Sequence, residues 1–157
     1  MKNETWEISY QILSADELTS QQSQTLHSAR KAVETAYSPY SNYQVGAAIL
    51  MANGDIVQGN NQENAVYPLG LCAERVALFS MGVRYPETKP ILMALTIASP
   101  NKPGFPCGSC RQSMVEFSHR YQCDLPLLIE STNDTFIYFE DARSLLPFTF
   151  DHMNLFV

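Results

Sequence analysis

The chain has 157 residues, of which 45% are hydrophobic and 17% are charged. These proportions are those of a folded globular chain, and the length predicts a single domain over residues 1–157 that buries its core without disulfide bonds. The formal net charge is −6, and the 10 basic residues form no basic run. Because nucleic-acid binding depends on phosphate neutralisation, this balance argues against a nucleic-acid partner and favours a small, uncharged substrate.

The chain also lacks the sequence features of a membrane protein or an exported protein. No apolar run approaches the roughly 20 residues that a membrane span requires. Charged residues, among them Lys2, Glu4 and Glu7, occupy the beginning of the chain, where a secretory signal needs an apolar stretch. We therefore expect a cytoplasmic location and no membrane partner.

The first predicted elements are a strand and a helix. Residues 6–13 alternate loosely between apolar and polar, which predicts an additional strand within the N-terminal segment 1–19. A helix is predicted over residues 20–36, and Pro39 ends it because proline disfavours helix in the residue before it. The apolar residues of this helix recur at helical spacing: Leu26, Ala29, Val33, Ala36 and Tyr37.

A hairpin and a second helix follow. Residues 43–51 predict a buried strand, and the sequence Ala-Asn-Gly-Asp at 52–55 is a strong hairpin turn signal. The return strand is predicted at residues 56–59. A helix is then predicted over residues 72–81. The almost wholly apolar residues 91–98 predict a strand that helices cover on both faces.

The remaining pattern continues the alternation of strands and helices. Residues 99–106 contain three prolines and one glycine, which predicts a loop. A helix is predicted from residue 107 through 117, and strands at 125–130 and 135–139. This order predicts the α/β class, as a three-layer α-β-α sandwich around a mixed sheet of about five strands.

Three of the four cysteines have the spacing of a metal site. Cys107 and Cys110 form a C-x-x-C pair that can hold one metal ion, and Cys72 can supply a third sulfur from upstream. Three protein ligands leave one position of a tetrahedral zinc ion open, which is typical of catalytic zinc sites. Glu74, two residues from Cys72, is then placed to move protons on a zinc-bound water. The pattern predicts a hydrolytic zinc enzyme.

Both cysteine segments are predicted to begin helices. The unpaired N–H groups of a first helical turn favour thiolate over thiol. Side chains there lean toward the helix start, so Cys72 and Glu74 can reach the same site. Three thiolates on Zn²⁺ leave a net negative charge, and Arg75 and Arg111, each beside a ligand, are expected to offset it. The alternative for Glu74 is an exposed side chain that only complements the helix dipole.

The motifs C-A-E-R at 72–75 and P-C-x-x-C-R-Q at 106–112 closely resemble the zinc-dependent cytidine deaminases, in their small homotetrameric form acting on free nucleosides. The resemblance extends over about residues 29–150, through the stretches 39–48, 59–65, 67–70 and 145–147. It implies one Zn²⁺ per chain and active sites at subunit interfaces. The implied reaction is hydrolytic deamination of cytidine and 2′-deoxycytidine to uridine and 2′-deoxyuridine plus ammonia, by zinc-activated water with a glutamate proton shuttle, in pyrimidine salvage.

The same resemblance implies roles for individual residues. Glu74 would be the catalytic proton carrier. Asn61 and Glu63 match the family's ribose-binding pair, and Tyr43 stands where the family usually has phenylalanine at the edge of the base pocket. Tyr67 and Phe150 match aromatic residues that reach a neighbouring subunit's site. The implied zinc ligands are Cys72, Cys107 and Cys110, and the implied substrate-binding residues are Asn61, Glu63, Tyr43, Ala73, Tyr67 and Phe150.

Three alternatives stay open. The chain can be a zinc deaminase for another substrate, namely an aminonucleoside antibiotic, a free base or a cytosine in nucleic acid. The stretch N-x-E-N at 61–64 and the absence of a histidine at ligand spacing argue against these. It can instead be a structural zinc module for protein binding, with Cys123 as fourth ligand. Lastly, four cysteines can form two disulfides, although Cys123 is expected to be a small buried hydrophobe.

Overall fold

One mixed sheet forms the centre of the molecule. The computed structural model describes residues 1–98, 103–132, 134–151 and 154–155, and these residues form six strands in the order β1-β6-β5-β4-β2-β3. Strands β4 and β5 are parallel, and the other neighbouring pairs are antiparallel. The mixed sheet is confirmed, with six strands where about five were predicted. Their bounds are β1 Gln11–Ser14, β2 Val45–Met51, β3 Ile56–Asn60, β4 Pro90–Ile97, β5 Leu127–Glu130 and β6 Thr135–Phe139.

The sixth strand is the N-terminal strand β1, at the edge of the sheet. It pairs with β6 over four residues, from Gln11 opposite Tyr138 to Ser14 opposite Thr135. The strand predicted at 6–13 is therefore present, but it lies further along the chain than predicted. Strand β6 ends one residue beyond Tyr138, so it reaches at most one residue before Gln11.

Three α-helices of the described residues cover the two faces of the sheet. Helix α1 (Ser20–Val33) covers one face, and α2 (Ala73–Arg84) and α3 (Gly108–Tyr121) cover the other. Alternate residues of β2 face opposite layers, Ile49 toward α2 and α3 and Ala48 toward α1. This arrangement confirms the three-layer sandwich. No helix in the described part of the chain has the length and apolar character needed to cross a membrane.

Several helices and strands begin or end at residues other than those predicted, because of tertiary contacts. Helix α1 ends at Val33 and not at 36, and a turn with i→i+3 hydrogen bonds follows it. Strand β2 begins at Val45 and not at 43, because the side chain of Asn61 bonds the backbone there. Helices α2 and α3 run further than predicted, β5 begins at Leu127 and not at 125, and three short 3₁₀ segments were not predicted. Those segments are Ala15–Glu17, Tyr67–Leu69 and Ala142–Leu145.

The loop predicted at 99–106 falls partly outside the described residues, which resume at 103. Residues 103–107 have no regular secondary structure and lead into α3. The C-terminal residues 152–153 and 156–157, which include His152, also lie outside the described residues.

A glycine allows α2 to begin directly against the sheet. A Cβ atom at Gly59 in β3 would lie 2.4 Å from the backbone nitrogen of Ala77 and 2.5 Å from the carbonyl oxygen of Ala73. Only a residue without a side chain permits this approach. The close contact fixes the first turn of α2 against the sheet, and that turn carries the candidate site.

Candidate active site and metal centre

Two of the three cysteines occupy the position immediately before a helix. Cys72 is the N-cap of α2 and Cys107 is the N-cap of α3, both with extended backbone. Neither side chain caps its own helix, so both sulfurs are available to a common ligand. Cys110 follows in the first turn of α3. The prediction that both cysteine segments begin helices is confirmed.

The three sulfurs have the spacing of a zinc site. The Sγ atom of Cys107 lies 3.8 Å from that of Cys72 and 3.5 Å from that of Cys110. All three lie within 4.8 Å of one another. A tetrahedral zinc ion with Zn–S bonds of about 2.3 Å places its sulfurs about 3.8 Å apart. The three sulfurs, as soft donors, therefore fit one zinc ion.

The ionisation of the sulfurs is consistent with a bound cation. The hydrogen bond from the Cys110 thiol, together with Arg75, lowers the pKa of Cys72 to about 5. The same contact raises the pKa of Cys110, because its proton is shared with the Cys72 thiolate. Adjacent thiolates repel one another, so a cation is needed for all three to ionise together.

Cys123 cannot complete this cluster. It lies beyond the C-terminal end of α3, and the helix has 14 residues, which separates its two ends by about 21 Å. Its sulfur is 3.8 Å from the carbonyl oxygen of Pro90, and the side chain packs against the core. The structural module closed by Cys123 is therefore wrong. The disulfide alternative is also wrong, since all four cysteines, each within the described residues, are free.

Glu74 is buried beside the sulfurs. It lies in the first turn of α2 and is 5% exposed. The alternative of an exposed glutamate that only complements the helix dipole is therefore wrong. Burial raises the pKa of Glu74 to about 7, and the charge of Cys72 adds to this effect. A carboxyl with a pKa near neutrality can both accept and donate a proton at the pH of most cells.

The two arginines beside the cysteines have different partners. The Nη2 atom of Arg75 lies 3.9 Å from the Sγ of Cys72 and 3.2 Å from the carbonyl oxygen of Gly70. This is the position expected of a group that offsets thiolate charge. Arg111 instead donates to the carbonyl oxygens of Pro106 at 2.9 Å and Leu145 at 3.0 Å. It holds the segment that leads to Cys107 against the C-terminal part of the chain.

Asn61 holds the beginning of β2. Its Nδ2 donates to the carbonyl oxygen of Tyr43 and its Oδ1 accepts from the N–H of Val45, both at 2.8 Å. The side chain is 8% exposed. These two bonds replace ladder hydrogen bonds and turn the backbone of residues 43–45 toward Asn61.

Glu63 holds the preceding turn. Its Oε2 accepts from the N–H groups of Tyr40 at 2.9 Å and Ser41 at 3.2 Å, and its Oε1 accepts from the hydroxyl of Ser41. These bonds, that of the Ser41 hydroxyl above all, lower the pKa of Glu63. We call Asn61 and Glu63, with the residues 37–45 that they bind, the polar clip. A cavity of about 400 Å³ lies against it, lined by Tyr40, Ser41, Glu63, Asn64, Tyr67 and Gly70.

Tyr43 and Ala73 lie near the sulfur cluster. Tyr43 is 44% exposed, and its pKa is raised by partial burial and then by the negative charge of Glu74. The side chain of Ala73 is fully buried in the core between the helices and the sheet. The backbone of Ala73 is buried with it, since the residue as a whole is 0% exposed.

The two predicted intersubunit aromatics are exposed on the chain. The ring of Tyr67 lies 5.8 Å from that of Tyr40, at the cavity. Phe150 is exposed, and its carbonyl oxygen accepts a hydrogen bond from Gln112 at 2.7 Å. Neither ring is held in the core of its own chain.

Sequence reasoning missed Ser41 as a site residue. The stretch Pro-Tyr-Ser-Asn at 39–42 predicts a turn by its composition, and the turn is present. Its composition carries no sign of the contact with Glu63, which is 22 residues away along the chain. The resemblance to a family included Ser41 in a matched stretch of sequence but implied no role for this residue.

The three-layer fold with three sulfurs at two helix N-termini defines a zinc-binding α/β protein. A family model described as the cytidine and deoxycytidylate deaminase zinc-binding region matches residues 19–122. This match covers more than half of the chain, so the chain belongs to the cytidine and deoxycytidylate deaminase family. The matched region begins just before α1 and includes all three cysteines of the cluster.

Individual relatives agree with this assignment. The chain is 48% identical over 89 residues to a cytidine deaminase from Halalkalibacterium halodurans, an alignment that covers 56% of this chain and 65% of the relative. A cytidine deaminase from Mycoplasma genitalium is 42% identical over 88 residues, which cover 56% of this chain and 66% of the relative. The chain thus spans just under two thirds of the length of these curated relatives.

Solved structures extend the match over more of the fold. The crystal structure of cytidine deaminase from Burkholderia pseudomallei superposes with a TM-score of 0.71 at 36% identity, covering 85% of this chain and all of the other. Cytidine deaminase from Mycobacterium tuberculosis superposes with a TM-score of 0.61 at 30% identity, covering 82% of this chain and 95% of the other.

Proposed function

We propose that the protein deaminates cytidine and 2′-deoxycytidine hydrolytically, producing uridine and 2′-deoxyuridine with release of ammonia. One observation carries this proposal: a buried carboxyl, Glu74, lies beside three sulfurs that fit one zinc ion. The relatives are named cytidine deaminases, which supports cytidine over other amino-substituted substrates. In this role the protein would act in pyrimidine salvage in the cytoplasm.

Cys72, Cys107 and Cys110 would hold the zinc ion, which when bound supplies a Lewis acid that lowers the pKa of water. Glu74 would take one proton from the attacking water and place it on N3 of the pyrimidine. It would then carry the hydroxyl proton at C4 to the amino nitrogen, so that the C4–N bond breaks and ammonia leaves. Its raised pKa suits both transfers, because the group is neither a strong acid nor a strong base at neutral pH.

The polar clip has hydrogen-bonding capacity left for a sugar. Asn61 uses one of its two Nδ2 protons, and Glu63 uses three of its about four acceptor positions. A hydroxyl of ribose can accept from the free proton of Asn61 and donate to Glu63. Such paired polar groups reject a sugar that lacks the matching hydroxyl. We assign the ring of Tyr43 to the face of the base, and the backbone of Ala73 to its polar edge.

We propose further that the active unit is a homotetramer. Tyr67 and Phe150 are exposed on the chain, and each is assigned to the site of a neighbouring subunit. Isolated monomers should then be inactive. Sedimentation and turnover measured over a dilution series test this assignment, and a fully active monomer would contradict it.

An ultraviolet assay with cytidine, 2′-deoxycytidine, cytosine and adenosine tests the proposed function. Absorbance near the cytidine band should fall for the first two substrates, and metal analysis should find about one zinc ion per chain. Turnover of cytosine alone, or of no substrate by zinc-loaded protein, would overturn the proposal. Cys123→Ser is a suitable control, since that residue lies away from the cluster and should leave zinc and turnover unchanged.

A further inference from the structure

A single hydroxyl, that of Ser41, connects two parts of the polar clip. It donates to Oε1 of Glu63 and accepts from the N–H of Tyr43 at 3.0 Å. Glu63 is assigned above to the sugar and Tyr43 to the base. The Ser41 hydroxyl thus contacts the carboxylate of Glu63 and the backbone of Tyr43, and Ser41 lines the cavity.

The two oxygens of Glu63 are held in different ways. Oε2 accepts two backbone N–H groups, from Tyr40 and Ser41, which any residue at those positions would supply. Oε1 accepts from the Ser41 side chain, which is the one partner of that oxygen in the described part of the chain. Rotation about the last torsion of a glutamate is broad. Removing the hydroxyl therefore leaves the carboxylate attached by Oε2 and free to turn.

We propose that Ser41 is a positioning residue that fixes the plane of the Glu63 carboxylate for a secondary hydroxyl of the nucleoside sugar, an inference that rests on the proposed function. The remaining acceptor position of Glu63 points in one direction only while Oε1 is held. A sugar hydroxyl that donates to it then meets a preformed partner and does not have to order the side chain. The cavity, of about 400 Å³, lies within the range of about 300–1,000 Å³ typical of small-molecule sites.

The test compares substrates with and without those sugar hydroxyls. Ser41→Ala should raise the KM for cytidine about tenfold, because a hydrogen bond to a charged group is lost. The kcat should stay within about twofold of the parent, since proton transfer by Glu74 does not use this contact. For 2′,3′-dideoxycytidine, which lacks both secondary hydroxyls, KM should change by less than about twofold.

Three further variants separate this role from a purely structural one. Ser41→Thr keeps the hydroxyl and should restore the KM for cytidine. Ser41→Cys keeps the size with a weak donor, and it repeats the test if the alanine variant is unstable. Ser23→Ala removes an exposed hydroxyl in α1, outside the polar clip, and it should leave both constants unchanged.

Two outcomes would overturn the inference alone: an unchanged KM for cytidine in Ser41→Ala, or an equal rise in KM for cytidine and its dideoxy analogue, with an active parent in each case. A zinc-loaded parent that does not deaminate cytidine would overturn the proposed function, and this inference with it. The activity of the parent therefore distinguishes the two failures.

Discussion

The cysteine cluster and the polar clip are built differently. The cluster is formed by the first turns of α2 and α3, where Glu74 and Cys110 are buried against the sheet. The polar clip is a surface loop whose conformation depends on the side chains of Asn61 and Glu63. Packed helix ends resist displacement, whereas a loop held by a few hydrogen bonds can be altered one bond at a time.

Substitutions in the two regions are therefore expected to affect different measured quantities. Changes in the cluster should affect metal content and kcat, because the proposed zinc ligands and proton carrier are there. Changes in the polar clip should affect KM, because the clip is proposed to bind the sugar.

The largest effect is expected from Cys110→Ser. Cys110 is fully buried with its sulfur 3.5 Å from that of Cys107, and a hydroxyl is a poor zinc ligand. Bound zinc should fall from about one ion per chain to nearly none, with loss of turnover. Metal analysis after dialysis measures this, with Cys123→Ser as the matched control. Full zinc content in the Cys110 variant would show that the ligand set is wrong.

Glu74→Gln should separate metal binding from chemistry. The amide has nearly the same shape but cannot carry the proton, so kcat should fall about 10²–10⁴-fold with zinc retained. Steady-state kinetics and metal analysis on the same sample test this. Glu116→Gln, an exposed change in α3, is the control and should behave like the parent. A kcat within tenfold of the parent would argue against Glu74 as proton carrier.

Arg75→Ala should weaken zinc binding without abolishing it. The guanidinium contacts the Cys72 sulfur and lowers its pKa, and losing such an outer contact costs about 10–100-fold in metal affinity. Competition with a chelator measures the affinity. Arg84→Ala, in the last turn of the same helix, is the control. Equal zinc affinity in both variants would remove Arg75 from the zinc site.

Gly59→Ala tests whether packing of α2 on β3 supports the cluster. The added Cβ would meet the backbone of Ala73 and Ala77 below 3 Å, so α2 must move. We expect a loss of about 1–3 kcal/mol in the free energy of unfolding, together with weaker zinc binding. Urea denaturation measures the loss. Gly108→Ala, where a Cβ meets nothing within 4 Å, is the control. Equal stability of the two variants would contradict this account.

The smallest effect concerns the pH dependence of the polar clip. The pKa of Glu63 is lowered from its ordinary 4.5, so its hydrogen bonds are fully present above that pH. They are lost as the pH falls through the lowered pKa. A carbon-13 NMR titration of the Glu63 carboxyl should give a midpoint below 4.5. Ser41→Ala should raise that midpoint, because the Ser41 hydroxyl makes the largest contribution. An unshifted midpoint would contradict the contact.

Much of the cluster could be predicted from sequence because its signals are local. The C-x-x-C spacing and the residues around Cys72 placed two sulfurs at helix starts, and both helices begin there. Alternation of strand and helix patterns indicated the layered α/β fold. Strand β6 was predicted with its observed bounds, since a run made up of β-branched and aromatic residues is a short-range strand signal.

The amino-acid sequence was sufficient to identify the residues that could bind a metal and the segments that form helices or strands, because hydrogen-bond periodicity and capping act within a few residues. The tertiary structure was needed to show that Glu74 is buried and that Arg111 binds backbone carbonyls and not a sulfur. It was also needed to show that Cys123 lies far from the cluster. It also decided that Ser41 meets Glu63. These contacts join residues distant along the chain, and they exist only once the sheet has brought those segments together.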